Sequence, residues 1–341
     1  MVESLNKSSP TQPVQGVDVL RMGAQPQQPV TSRLIYGCMG LGGGWNRNAL
    51  QTNDVAHARA AVEAALEIGI TLFDHANIYT LGKAEQCFGE LFKQQPGLRE
   101  RLQLQTKCGI RFDDADGPKR YDLSAEHIVE SVHASLRRLN TDYIDVLMLH
   151  RPDPLMEPDE INNAWRMLFD AGKVRQLGVS NMHAGQLRQL VAGLETPLVA
   201  NQLEMSLLKT AWLDADTCFN DAQGQQSLGW GDTMGYCQSQ KIALQAWGAL
   251  AKGWYSGGAP DDAPSPVVAT SQLVRELAHM HAVAPESIVL AWLLKHPARI
   301  EPVIGTANPA RIRACGDAGR VVLTRGQWYA LYQSARGRDL P

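Results

Sequence analysis

Eight short apolar runs, each separated from the next by enough chain for a helix, constrain this 341-residue sequence more than any other feature. They are Leu34–Tyr36, Thr71–Phe73, Leu102–Thr106, Ile144–Leu149, Val174–Val179, Leu198–Ala200, Ala243–Ala246 and Pro302–Ile304. Helical spacing fills the intervals. Ala58, Val62, Ala65 and Ile68 share a face closed by Gly69, and Ile128, Val132, Leu136 and Leu139 follow an N-cap at Ser124. Ile161, Trp165, Leu168 and Phe169 form the next face, then Leu273, Leu277 and Met280, and Pro285 opens a further apolar helix. Strands alternating with helices make parallel βαβ units. Eight of them predict a closed (β/α)8 TIM barrel rather than an open doubly wound sheet.

The barrel is expected as one domain over residues 17–341, after a polar tail at 1–16 expected to be disordered. Val17, Val19, Leu20 and Val30 predict a short N-terminal hairpin. A net charge of −3 and a pI near 6.3 give no electrostatic attraction to nucleic acid or an anionic membrane. No window approaches the roughly 18 apolar residues of a membrane helix. Six scattered cysteines without a C-x-x-C pair read as reduced thiols, so a cytoplasmic protein is expected.

Two features depart from an ordinary barrel. Arg101-Leu102-Gln103-Leu104-Gln105 alternates polar and apolar, where a parallel strand should be nearly all apolar. Lys209–Ser239 and Gly253–Thr270 are long and polar, and such insertions are expected to build a substrate mouth at the carboxyl face.

Chemistry-bearing residues recur just after the strand-like runs: Asp74, Tyr79, Lys107, His150 and Ser180-Asn181. Singly, each has an ordinary reading, as a helix cap, a packing tyrosine, a solvated lysine or a core histidine. Their joint placement at strand carboxyl ends is the pattern of a barrel active site. A tyrosine beside a lysine, with a carboxylate and a histidine, can deliver a proton to a carbonyl oxygen at neutral pH. A free tyrosine has a pKa of about 10, and a neighbouring ammonium favours the phenolate, so Lys107 is expected to lower that of Tyr79. The glycine cluster Gly40–Gly44 forms no G-x-G-x-x-G, and there is no P-loop and no H-E-x-x-H or other metal-ligand spacing. Any dinucleotide is therefore bound without a Rossmann fold.

Five ordered signatures resemble the aldo-keto reductase family: Phe73–Tyr79, Thr106–Gly109, Leu149–Asp153, Gly178–Asn181 and Asn201–Glu204. The resemblance runs from about Val17 to the carboxyl terminus. It implies a catalytic tetrad of Asp74, Tyr79, Lys107 and His150, in which Tyr79 is the acid, Lys107 tunes it, Asp74 anchors the lysine and His150 orients the carbonyl. It implies NADP(H) as cofactor, with NAD(H) possible. Ser180, Asn181 and Gln202 match the carboxamide contacts, Trp247 the ring that stacks on the nicotinamide, and Gly248, Ala249, Leu250 and Gly253 the backbone that wraps the pyrophosphate. At the adenosine end, Gly305-Thr306 stands where many members have Lys-Ser, with Arg311 retained, so the 2′-phosphate depends on Arg311, Thr306 and helix-start N–H groups. Trp45, His75 and Tyr79, with the two long loops, are expected to line a pocket for a small-molecule carbonyl substrate. The implied activity is NADPH-dependent reduction of aldehydes or ketones. The alternative is an NADP(H)-binding barrel that reports redox state with little turnover, which has no need of a complete tetrad.

Overall fold

The computed structural model describes residues 33–218, 220–221 and 230–341; the hairpin expected near Val17–Val30 lies outside them. Eight parallel strands close into a barrel: β1 (Ile35–Gly37), β2 (Leu72–Asp74), β3 (Gln103–Cys108), β6 (Ile144–Leu149), β7 (Val174–Ser180), β8 (Leu198–Glu204), β9 (Ala243–Trp247) and β10 (Glu301–Ile304). Between β3 and β6 an antiparallel ribbon, β4 (Ile110–Arg111) with β5 (Arg120–Tyr121), projects from the carboxyl face. The barrel closes where β1 pairs with both β2 and β10.

Helices cover the outside. Among them are α1 (Thr52–Glu67), α2 (Lys83–Gln94), α3 (Ala125–Leu139), α4 (Pro158–Asp170) and α5 (Ala184–Gly193). Further along come α6 (Ala211–Thr217), α7 (Thr233–Ser239), α8 (Ser265–His281), α9 (Pro285–Leu294), α10 (Pro309–Cys315) and α11 (Arg325–Arg336). Local chemistry sets their ends. The Ser124 hydroxyl accepts from the His127 N–H at the start of α3, and Pro285 begins α9, where no intrahelical donor is needed. Helix α9 is buried on every side, and Trp292 stacks on Trp328 at 5.4 Å. Met280 departs from the expected face: it is 68% exposed, while Leu277 buries as expected, together with Val274 and Ala278. All six cysteines are free and buried, and burial pushes the Cys108 thiol up to about 12. Among the described residues, no single helix is long and apolar enough to cross a membrane.

The polar alternation in β3 has a physical reason. Gln105 and Lys107 are fully buried and bond to other polar groups inside the barrel, while Thr106 bonds outward to Glu85 of α2 at 2.6 Å. A parallel strand is apolar only if both of its faces meet apolar neighbours. The long segments also differ from expectation. None of the described residues of Lys209–Ser239 lines the carboxyl-face cleft, and of Gly253–Thr270 only Gly253 does. Instead, α6 and α7 pack onto the barrel wall, with Trp212 edge-on to Trp292 at 5.6 Å and Met234 and Cys237 buried.

One buried acid lies in β10. Burial raises the Glu301 carboxyl to about 8, partly opposed by Arg33 and a hydrogen bond from Gln245. The unfolded chain loses this proton near pH 4.3, so stability from the protonated form is full below that pH and lost as pH rises toward 8. Glu301→Gln is therefore expected to melt like the parent near pH 4 and to be more stable by on the order of a few kcal/mol at pH 9. Thermal melts across that range check it, and a difference that does not change with pH counts against the buried neutral acid.

Candidate active site

The carboxyl ends of the strands surround a cleft of about 610 Å³. Just beneath its floor Lys107 of β3 reaches across to Asp74 of β2. Its Nζ lies 2.6 Å from each Asp74 oxygen, 3.0 Å from the His75 carbonyl oxygen and 3.1 Å from Tyr79 Oη. Parallel pairing of Asp74 with Gln105 sets this up, because Lys107 is then two residues further toward the carboxyl face on the same side of its strand. Tyr79 sits in a 3-10 turn that leaves β2, and its ring stands edge-on to His150 at 6.0 Å. The four residues named as the tetrad are thus brought together.

Their ionisation follows from burial and neighbours. Burial alone lowers the Lys107 pKa, but attraction to Asp74 and Tyr79 and their hydrogen bonds together carry it above the ordinary lysine value. His150 falls to about 2, first through burial and then through the Lys107 and Arg151 charges, so its imidazole is neutral. Its Nδ1 is buried without a hydrogen-bond partner among the described residues. Tyr79 corrects the sequence-based expectation. Burial pushes its phenol up, and the pull of Lys107 only partly offsets that. The phenol therefore stays protonated at neutral pH, with a cation 3.1 Å from its oxygen.

Ser180, Asn181, Gln202, Trp247, Gly248, Ala249, Leu250, Gly253, Gly305, Thr306 and Arg311 all line the same cleft. The Asn181 amide donates to Ser180 Oγ at 2.7 Å and accepts from Trp247 Nε1 at 3.0 Å, which ties the indole in place. Arg311 donates to Glu286 Oε1 at 3.0 Å and to Ser256 Oγ at 2.9 Å. Two expectations about backbone donors need correction. The Gly253 N–H is already bonded to the Leu250 carbonyl at 2.8 Å, so this glycine shapes the loop through its φ of +78° instead of donating. The Ala310 and Arg311 N–H groups at the start of α10 are capped by the Asn308 side chain, leaving Arg311 and Thr306 as the polar groups there.

Trp45 lines the cleft and is 53% exposed. His75 does not line it. Its ring is fully buried edge-on to Phe88 at 4.3 Å, and burial with the Lys107 charge lowers it to about 3, so its contribution to the site is the carbonyl that holds Lys107. The cleft wall also includes Met39, Ile78, Ile110, Arg151, Lys252 and Val303, which the sequence did not single out. Ile78 and Arg151 did carry a signal, as members of the Phe73–Tyr79 and Leu149–Asp153 signatures. Non-glycine residues in the left-handed region cluster here: Thr80 and Leu81 after Tyr79, Asn181, and Ala251 and Lys252 after Trp247. Such strain, on the order of 1 kcal/mol or more each, persists where the surrounding structure holds it.

Comparison with known proteins agrees with this geometry. The model of the aldo/keto reductase family matches residues 33–335. The chain is 37% identical over 314 residues to 6-dehydroglucose reductase of Agrobacterium fabrum, covering 91% of this chain and 96% of that protein. It is 34% identical over 327 residues to oxidoreductase YdhF of Escherichia coli, covering 95% and 100%. Among solved structures, an aldo/keto reductase from Klebsiella pneumoniae in complex with NADP and acetate superposes with a TM-score of 0.64 at 22% identity, covering 88% of this chain and 89% of that one.

The neutrality of His150 has a direct readout. In 15N-labelled protein its ring nitrogens are expected to keep constant chemical shifts from about pH 5 to pH 9, where an unperturbed histidine titrates near 6.5. A titration step in that interval contradicts the ionisation state described above. With Asp74, Tyr79 and His150 lining one cleft, Lys107 bonded to the first two beneath it, and the family model matched from strand β1 to helix α11, this chain belongs to the aldo/keto reductase family.

Proposed function

We propose that this protein reduces the carbonyl group of a small aldehyde or ketone to an alcohol, with NADPH as the hydride source. The observation that carries the reading is the Lys107 ammonium, held by both Asp74 oxygens and 3.1 Å from the Tyr79 hydroxyl at the cleft floor. That arrangement gives a phenol a cationic neighbour and a route to the substrate.

The cleft residues fit a nicotinamide dinucleotide phosphate. Ser180, Asn181 and Gln202 offer amide and hydroxyl groups beside the flat face of Trp247, and Arg311 with Thr306 offers a cation and a hydroxyl at the other end. When bound, NADPH supplies hydride to the carbonyl carbon. Tyr79 gives its phenolic proton to the carbonyl oxygen, and Lys107 stabilises the phenolate left behind. Asp74 keeps Lys107 aimed at that oxygen. Neutral His150 donates from Nε2 to the carbonyl and orients it. Trp45, Met39, Ile78 and Ile110 provide an apolar wall beside the reacting centre. The NADP in the Klebsiella structure and the reductase name of the Agrobacterium relative agree with this reading. The ion pair of Arg311 with Glu286 offsets part of its charge, which leaves NAD(H) as a weaker second cofactor.

Purified protein is expected to oxidise NADPH when given nitrobenzaldehyde or methylglyoxal, followed by loss of nicotinamide absorbance. Tyr79→Phe should keep NADPH binding and lose turnover by roughly 10²–10⁴-fold, the range for a positioned general acid. Turnover equal to the parent rules out Tyr79 as the acid. Arg311→Ala should weaken NADPH about tenfold, the loss of one charge-assisted contact, with little change for NADH. Equal losses for both cofactors contradict the 2′-phosphate assignment.

A further inference from the structure

A chain of buried side-chain amides crosses the barrel interior beneath the cleft, and neither of its two central members lines the cleft. Gln105 Nε2 donates to Asp74 Oδ1 at 2.6 Å and to Gln245 Oε1 at 2.9 Å. Gln245 Nε2 returns a bond to Gln105 Oε1 at 3.1 Å, and Gln202 Nε2 donates to Gln245 Oε1 at 3.1 Å. Strand register aligns them: Asp74 is paired with Gln105, and Gln245 with both Gln202 and Glu301. The three glutamines are at most 2% exposed.

The donor and acceptor inventory fixes the direction of every amide. The Asp74 carboxylate, bonded to the Lys107 ammonium, only accepts, so Gln105 must present Nε2 to it. Gln245 hydrogen-bonds the Glu301 carboxyl as well, which engages its second N–H. Its Oε1 then takes donors from both Gln105 and Gln202. Gln202 is left with Nε2 turned inward, so its Oε1 is the atom free for a ligand in the cleft. Reversing any one amide sets donor against donor in a dry interior, where an unpaired polar group costs about 1–3 kcal/mol.

We infer that Gln105 and Gln245 are positioning residues that lock Gln202 Oε1 toward the cleft as an acceptor for a carboxamide N–H, so that the carboxylate holding Lys107 also sets how the nicotinamide is recognised. This rests on the reading of the cleft as an NADPH site and extends it to two residues that touch neither cofactor nor substrate. A chain in series has a characteristic consequence. Breaking it at Gln105 releases Gln202 as breaking it at Gln245 does, and breaking both adds little.

The test measures equilibrium binding of NADPH and of 2′,5′-ADP, which keeps the phosphate end and lacks the nicotinamide, to the parent, Gln105→Met, Gln245→Met and the double variant. Each single variant is expected to bind NADPH about tenfold more weakly, the loss of one well-formed hydrogen bond with its partner left unpaired. Binding of 2′,5′-ADP should stay within about twofold of the parent, and the double variant should match the singles. Thermal melts identify which variants fold. If Gln245→Met does not, Gln105→Met, which keeps the Gln245 side chain but removes its link to Asp74, carries the same comparison. NADPH affinity equal to the parent in Gln105→Met overturns the inference, as does a parallel loss of NADPH and 2′,5′-ADP. A parent protein that binds no NADPH overturns the functional reading itself, which separates the two failures.

Discussion

The ion pair of Lys107 with Asp74 organises the rest of this molecule. Its side chains are 1% and 3% exposed, so both charges have left water almost completely. Such a pair is tolerable only with close contact and further hydrogen bonds, and removing one partner typically costs about 3–5 kcal/mol. Both conditions are met here. Two carboxylate oxygens, a backbone carbonyl and a phenol surround the ammonium, and Gln105 takes a remaining lone pair of Asp74. A tyrosine next to that ammonium feels its charge through a weakly screening medium, the condition for using it in proton transfer.

Holding those charges makes the barrel interior unusual. The inside of a (β/α)8 barrel is ordinarily filled by layers of branched apolar side chains. Here Asp74, Gln105, Lys107, Gln202, Gln245 and Glu301 form a polar seam within it. The seam is stable because nearly every donor and acceptor has a partner, and because apolar burial lies elsewhere. Helix α9 and the aromatic stack of Trp212, Trp292 and Trp328 supply it outside the strands. Core and site are thus separated radially: apolar between strands and helices, polar along the axis.

The cleft above this seam is lined by short turns, not by the long insertions. Several of those turns carry non-glycine residues with positive φ, at Thr80, Leu81, Asn181, Ala251 and Lys252. Each sits beside a side chain that must be aimed: Tyr79, Ser180 or the loop after Trp247. Local strain and side-chain aim go together because a turn forced into the left-handed region has few alternatives once its neighbours are packed.

Much of this was legible in the residues alone. All eight strands lie where apolar runs predict them, because strand-forming segments are local and short, and the tetrad is recognisable because its members follow those runs. The caps at Ser124 and Pro285 are local chemistry and read directly. What the sequence left open depends on which faces meet. The alternation in β3 looks anomalous until Gln105 is seen opposite Gln245, 140 positions away in the chain. His75 reads as a pocket residue by its place beside Asp74, yet strand alternation turns its ring outward onto Phe88. The direction of the Tyr79 shift required knowing how dry its surroundings are, which no spacing encodes. The sequence by itself determined the barrel and which polar side chains gather at its carboxyl face, through local periodicity and motif order. The tertiary structure decided which atoms are buried together, and burial is what sets charge, hydrogen-bond direction and access.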